Sequence, residues 1–158
     1  MAVITLTSGA DSVALGTEAD AIWGRIADIT AADIISAGNG AAIDRIILRD
    51  GGLLDFRSGG NAAGLSGFES LALAGSNNTV LLAAATATGA FQGYFTIQGS
   101  AGDDTVYAAL APASTRIAFV AGTGDDRFYG GAGNDIIWIA PSALNGNDLF
   151  SGAGGIDS

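Results

Sequence analysis

The sequence predicts an all-β chain wound as a right-handed parallel β-solenoid (a β-roll or β-helix) of about 22–26 residues per coil. Three observations predict it. Acidic and amide residues recur at a fixed step: Asp104, Asp126 and Asp148 stand 22 apart, as do Asp103, Asp125 and Asn147, and also Asp135 and Asp157. Apolar residues keep the same step, with Val106, Phe128 and Phe150 in one series and Phe95, Ile117 and Ile139 in another; Ile97 and Phe119 are also 22 apart. Between these lie short runs of Val, Ile, Phe, Tyr and Thr, separated by glycine clusters such as "GSAGDD", "AGTGDD" and "GGAGND". Short runs of that composition are strand chemistry, and the clusters are turns.

Each element follows from that frame. From residue 71 to 158 the repeat predicts a regular β-roll, with inner ladders Leu71–Phe95–Ile117–Ile139 and Val80–Val106–Phe128–Phe150. Asn77 and Asn78 stand in the places of Asp103 and Asp104 one coil earlier. Residues 1–70 read as irregular coils or a cap of the same continuous domain, with Ile46 and Leu48 extending the first ladder. Asp11 and Asp20, each two residues before Val13 and Ile22, are as well explained by ordinary turns as by the repeat. Ile22, Ile26 and Ile29 have helical spacing and predict a helical turn or short helix within 17–37. Asp28, Asp33, Asp44, Asp50 and Asp55 read as solvated turns or strand ends, Arg45 and Arg49 as partners of nearby acids, and Trp23 and Trp138 as packing residues.

Composition narrows the function. The 158 residues carry 16 acidic and 6 basic side chains, for a net charge of -10. Such a surface disfavours nucleic acid and anionic lipid and suits hard cations. Without cysteine or histidine there are no disulfides and none of the usual zinc, copper or iron ligands. With no histidine or lysine to act as base, catalysis within the chain is not expected. No apolar run is long enough to cross a bilayer; "VLLAAA" at 80–85 is among the longest. "MAVITLTSGADS" has neither a basic leader nor a long apolar run, so no secretory signal peptide is read there. The final "SGAGGIDS" stops inside a repeat unit, as expected of a fragment of something longer. A flat Thr-x-Thr surface is not expected, because "TLT" at 5–7 and "TAT" at 86–88 do not stack.

Stacked coils place Asp104, Asp126 and Asp148 one above another at about 4.8 Å. Carboxylates that close repel strongly wherever water is thin, and cations between them relieve the repulsion. Calcium accepts six to eight oxygens and mixes carboxylates with backbone carbonyls, whereas magnesium demands a strict octahedron. "GGAGNDIIW" (130–138) fits the pattern G-G-x-G-x-D-x-U-x, and "GSAGDDTVY" (99–107) and "AGTGDDRFY" (121–129) fit with one glycine replaced. "LNGNDLFSG" (144–152) and "SGADSVALG" (8–16) fit more loosely. In these residues the chain resembles the RTX (repeats-in-toxin) family.

The resemblance implies calcium held between stacked turns and export by type I secretion to the cell surface or medium, with folding triggered by extracellular calcium. It implies side-chain ligands at Asp104, Asp126, Asp135 and Asp148, with Asp103, Asp125, Asn134 and Asn147 beside them. Carbonyls of Gly122, Gly124, Gly131, Gly133 and Gly146 would complete the shells. The chain departs from the family pattern in its split of 9 and 13 residues, and in Pro112 and Ala113 at the place of Asn134 and Asp135, where no normal site is expected. The expected role is a calcium-binding structural or adhesive module, as in an adhesin or S-layer protein. Its partners would be calcium, a cell-surface glycan or further copies stacked end to end. The alternative is a non-catalytic targeting module of an extracellular enzyme.

Overall fold

The computed structural model describes residues 1–38, 42–82 and 94–158, and "TAT" at 86–88 lies outside them. Among the described residues are fifteen short strands, numbered in chain order, all paired in parallel. The largest sheet joins β1 (Val3–Thr5), β3 (Ala21–Gly24), β5 (Arg45–Leu48), β8 (Ser70–Ala72), β10 (Tyr94–Gln98), β12 (Arg116–Val120) and β14 (Ile136–Trp138). The opposite wall changes along the axis. Its N-terminal part is β2 (Ser12–Ala14), β4 (Ile34–Ser36) and β7 (Leu65–Ser66). Its C-terminal part is β6 (Leu53–Asp55), β9 (Thr79–Leu81), β11 (Thr105–Tyr107), β13 (Arg127–Tyr129) and β15 (Leu149–Ser151). The result is a β-solenoid of about 6 turns.

The strands form where apolar and polar residues alternate, so one face points inward. Ile22, Ile46, Leu71, Ile97 and Phe119 stack along the large sheet with no exposed surface, and Leu54, Val80, Val106 and Phe128 answer them from the other wall. Phe119 and Phe128 meet across the interior with ring centres 5.7 Å apart. These residues belong to one continuous core running from Leu6 to Phe128. No coil could bury its inner face alone, so each depends on its neighbours.

The ladder Val80–Val106–Phe128–Phe150 is present as expected. The ladder on the large sheet differs by two residues. Leu71 pairs with Ile97 rather than Phe95, giving a coil of 26 residues that matches the 26 between Val80 and Val106 on the other wall. A slip of two keeps the same face inward, so hydrophobic alternation cannot distinguish the two registers. Further on, Phe119 pairs with Ile137, which sets Ile117 beside Asp135 instead of Ile139. Here the turn from Tyr129 to Ile136 is four residues shorter than the one from Tyr107 to Ala118 that it stacks on. The next turn, Trp138 to Leu149, is four residues longer than Val120 to Arg127, so the second wall keeps its step of 22.

The segment 17–37 contains a helical turn but no helix longer than that. It holds β3, a single 3-10 turn at Ile26–Asp28, and β4, and Ile22 is a fully buried strand residue. Of the three isoleucines with helical spacing, Ile26 lies in that turn and Ile29 caps it, while Ile22 belongs to β3. Trp138 is exposed rather than packed. Arg49 lies over the Trp23 ring at 5.0 Å instead of pairing with an acid.

Candidate metal centre

Every strand of the C-terminal wall is preceded by a turn residue, and parallel register stacks these residues in a column: Gly52, Asn78, Asp104, Asp126, Asp148. One hydrogen-bond pattern runs down it. The backbone N–H of each residue donates to the side chain one coil on: Asn78 to Asp104 at 3.1 Å, Asp104 to Asp126 at 2.9 Å, and Asp126 to Asp148 at 2.8 Å. Beside it runs a second column containing Asn77, Asp103, Asp125 and Asn147, in which the backbone bonds point the other way. Asp103 N–H donates to Asn77 Oδ1 at 3.1 Å, and Asp125 N–H to Asp103 Oδ1 at 2.9 Å. The Asn147 amide closes this column on Asp125 Oδ2 at 3.0 Å.

The second oxygen of each inner carboxylate decides what the column can do. Asp104 Oδ2 accepts the Ser100 N–H at 2.6 Å, and Asp148 Oδ2 accepts the Asn145 N–H at 2.7 Å, each closing the turn that leads to it. Asp126 has no such closure. Its side chain is fully buried, Oδ1 accepts from Asp104, and Oδ2 has no hydrogen-bond partner. Burial raises its pKa above the ordinary carboxylate value, and the charges of Asp104, Asp148 and Asp103 push the same way against the Asp104 N–H. A buried anionic oxygen without a donor, among three further carboxylates, is a place for a cation.

The glycines of these turns hold coils together at backbone distance. A Cβ on Gly122 would stand 1.5 Å from the Ser100 carbonyl oxygen, and one on Gly133 would stand 1.9 Å from that of Thr115. Gly124 has φ of 120° and lies against the backbone of Gly102. The Gly124 carbonyl accepts the Asn145 amide at 2.5 Å, and that of Gly131 accepts the Gly154 N–H at 2.9 Å. Gly146 faces open space.

At the other corner, Asp135 is also buried. It accepts from Ile117 N–H at 2.9 Å and Gly131 N–H at 2.7 Å, while its own N–H donates to Asp157 at 2.8 Å. Burial, the largest cause, raises its pKa against those two N–H bonds, and Asp157 adds to the rise. Asn134 Oδ1 accepts the Ile156 N–H at 2.9 Å. By register the predecessor of Asp135 is Ile117, not Ala113, so the expected gap in the acidic series does occur, but through a different residue.

Among the described residues, no three acidic side chains gather around one point. Carboxylates here come as pairs on adjacent coils, so calcium would draw much of its shell from backbone carbonyls. At Asp126 the unpartnered Oδ2 would be the anchoring ligand, and a calcium ion there would take the rest of its shell from a carboxylate on an adjacent coil and from backbone carbonyls. When bound, calcium would supply the positive charge that these carboxylates lack. The chain's own contribution is to hold the oxygens in register from coil to coil.

Sequence reasoning missed a second acidic system. Asp33 and Asp44, read as solvated, are buried, as is Asp20. Asp11 N–H donates to Asp33 Oδ1 at 2.9 Å and Thr30 N–H to Asp33 Oδ2 at 2.7 Å. At the neighbouring corner the Ala2 N–H donates to Asp20, Asp20 N–H to Asp44 at 2.7 Å, and Asp44 N–H to Glu69 at 2.8 Å. The signal was available: Asp11 and Asp33 are 22 apart, and Asp20 and Asp44 are 24 apart.

Two stretches, residues 96–110 and 119–138, match the family model of the RTX calcium-binding nonapeptide repeat, in 4 copies. No curated protein and no solved structure matches the chain. The matched stretches hold Asp103, Asp104, Asp125, Asp126, Asn134 and Asp135, the turns built above. At 96–110 and 119–138 this β-solenoid is therefore similar to the calcium-binding nonapeptide repeat of the RTX family.

Proposed function

We propose that the chain is a non-catalytic structural module of a secreted or cell-surface protein, in which calcium orders the C-terminal coils. The observation that carries this is the unpartnered, buried Oδ2 of Asp126 between the carboxylates of Asp104 and Asp148. In the absence of a cation that arrangement opposes folding; with one it favours folding. RTX repeats are typical of proteins exported by type I secretion, and calcium sites of extracellular modules have weak affinities suited to calcium-rich surroundings. A module that orders only in calcium would stay unfolded until it meets extracellular concentrations. Among the described residues no helix is long and apolar enough to cross a membrane.

A non-catalytic role is supported by what the carboxylates already do. Asp20, Asp33, Asp44, Asp104 and Asp135 accept backbone N–H groups, and there is no histidine, lysine or cysteine to act with them. The test is thermal melting and circular dichroism in a chelator and then in millimolar calcium. Calcium at a hundredfold excess over its dissociation constant should add about 2.7 kcal/mol for each site. Identical melting in both solutions would contradict the reading.

A further inference from the structure

Asn145 and Gly146 lie together in the turn that leads into β15, and both are exposed. An asparagine followed by glycine is open to a reaction that needs only water: the next residue's backbone nitrogen attacks the side-chain amide carbon. The attacking nitrogen must be free to give up its proton, and its own side chain must not block the approach. Among the described residues, every other asparagine fails the first condition. The N–H that follows is already donated at Asn61 (Ala62 to Asp55), Asn77 (Asn78 to Asp104), Asn78 (Thr79 to Gly52), Asn134 (Asp135 to Asp157) and Asn147 (Asp148 to Asn145). Gly146 N–H has no partner among the described residues, and even a Cβ at this position would meet nothing within 4 Å. The sequence has one other Asn–Gly pair, Asn39–Gly40, which lies outside the described residues.

The local hydrogen bonds both prepare and restrain this reaction. Asn145 Oδ1 accepts the Asn147 N–H at 2.8 Å, so the Gly146 amide lies within the ring that this bond closes. The same bond draws electron density from the side-chain carbonyl and leaves Cγ more electrophilic. Against this, Asn145 Nδ2 donates to the Gly124 carbonyl of the preceding coil at 2.5 Å. That contact holds the leaving nitrogen in place for as long as the last coil stays ordered.

We propose that Asn145–Gly146 is a self-modification site, at which deamidation adds a carboxylate to the acidic corner and makes the last coil more dependent on calcium. The Gly146 nitrogen forms a bond to Asn145 Cγ and loses its proton to solvent. The Cγ–Nδ2 bond breaks, and the nitrogen leaves as ammonia with a proton from water. Water then opens the cyclic imide at one of its two carbonyls, giving aspartate or isoaspartate, with no change of oxidation state. The product reverses the local hydrogen bonding. Nδ2 is a donor standing 2.5 Å from the Gly124 carbonyl oxygen and 3.4 Å from Asp148 Oδ1. An oxygen in its place faces two acceptors and adds one more negative charge to a chain already at -10. A cation relieves that repulsion, and a mixture of carboxylate and carbonyl oxygens is what calcium accepts.

The test incubates the full chain in mildly alkaline buffer, with chelator or with millimolar calcium, and follows each asparagine by peptide-mapping mass spectrometry. In chelator Asn145 should convert about tenfold or more faster than Asn61, Asn77, Asn78, Asn134 or Asn147, and Gly146→Ala should slow it about tenfold. Conversion of Asn145 no faster than of those five, or indifferent to Gly146→Ala, would overturn the proposal. Calcium should slow the conversion by ordering the coil, and equal rates in both buffers would remove the restraint assigned to the Gly124 carbonyl. Asn145→Asp, which imitates one product, should melt below the parent chain in chelator and gain more from calcium. A melt equal to the parent's in chelator would overturn the added calcium dependence. The calcium arms rest on the proposed calcium-ordered module, whereas preferential conversion at Asn145 does not. Failure of that module would appear separately, as melting of the parent chain indifferent to calcium.

Discussion

The N-terminal and C-terminal acidic corners use the same bond for different ends. In both, a strand-opening backbone N–H donates to a carboxylate one coil on: Asp11 to Asp33 near the start, Asp104 to Asp126 near the end. At Asp33 the second oxygen also has a donor, from Thr30, and the buried carboxylate is satisfied by protein alone. At Asp126 the second oxygen has none, and three neighbouring carboxylates press on it. An acidic ladder in a solenoid is therefore not by itself a metal ladder. The number of donors per carboxylate separates a self-contained lock from a site that needs a cation.

The comparison can be broken at several scales. The largest effect should come from the shared core. Phe119→Ala should cost about 3–5 kcal/mol, as for other buried aromatic side chains, in calcium and in chelator alike. Phe119 lies in a core continuous from Leu6, so a single melting transition should shift as a whole. Two separating transitions would instead divide the N-terminal coils from the β-roll.

A smaller effect should separate the turn glycines. Gly122→Ala forces a Cβ onto the Ser100 carbonyl and should cost about 1–3 kcal/mol or more, as overpacking does. Gly146→Ala meets open space and should change melting little. Equal losses, read from thermal melts, would show that Gly146 acts through something other than coil-to-coil approach.

The smallest effect is that of pH on the metal-free chain. Asp126 and Asp135 have raised pKa values when folded, so the folded state holds their protons more tightly than the unfolded chain, whose value is near 3.8. Their contribution favours folding at low pH and is lost as pH rises through the folded values. In chelator the chain should thus gain stability from these two groups as pH falls from neutral toward their folded values. Asp55 works oppositely and weakly, because its hydrogen bond to Arg57 lowers its pKa at a well-solvated surface. In calcium the trend should reverse, since the ligands must be deprotonated. A metal-free melting temperature that falls steadily below neutral pH would contradict the raised values.

Much of this was legible in the residues. The step of 22 is visible because Asp and apolar residues both obey it, and the wall Val80–Val106–Phe128–Phe150 follows from it directly. The large sheet was harder to read. A two-residue slip, Leu71 to Ile97, leaves the inward face unchanged, and only the 26-residue step of the other wall decides it. The buried acids Asp33 and Asp44 were overlooked for a different reason, although their spacing from Asp11 and Asp20 was visible. They lack the glycines of the nonapeptide pattern, and their role depends on backbone donors one coil away, at Asp11 and Asp20. Asp126 stands out only once the second oxygen of each carboxylate is followed to its donor.

The most direct test places Asp126→Asn beside Asp33→Asn in a calcium titration followed by thermal melting. Asp126→Asn removes a charge that burial and its neighbours oppose, so in chelator it should melt at or above the parent chain, and it should lose much of the calcium-dependent rise. Asp33→Asn weakens acceptors for two backbone N–H groups, so it should melt lower at every calcium concentration while keeping the full rise. Equal loss of the calcium response in both variants, or in neither, would contradict the division between a self-satisfied lock and a cation site.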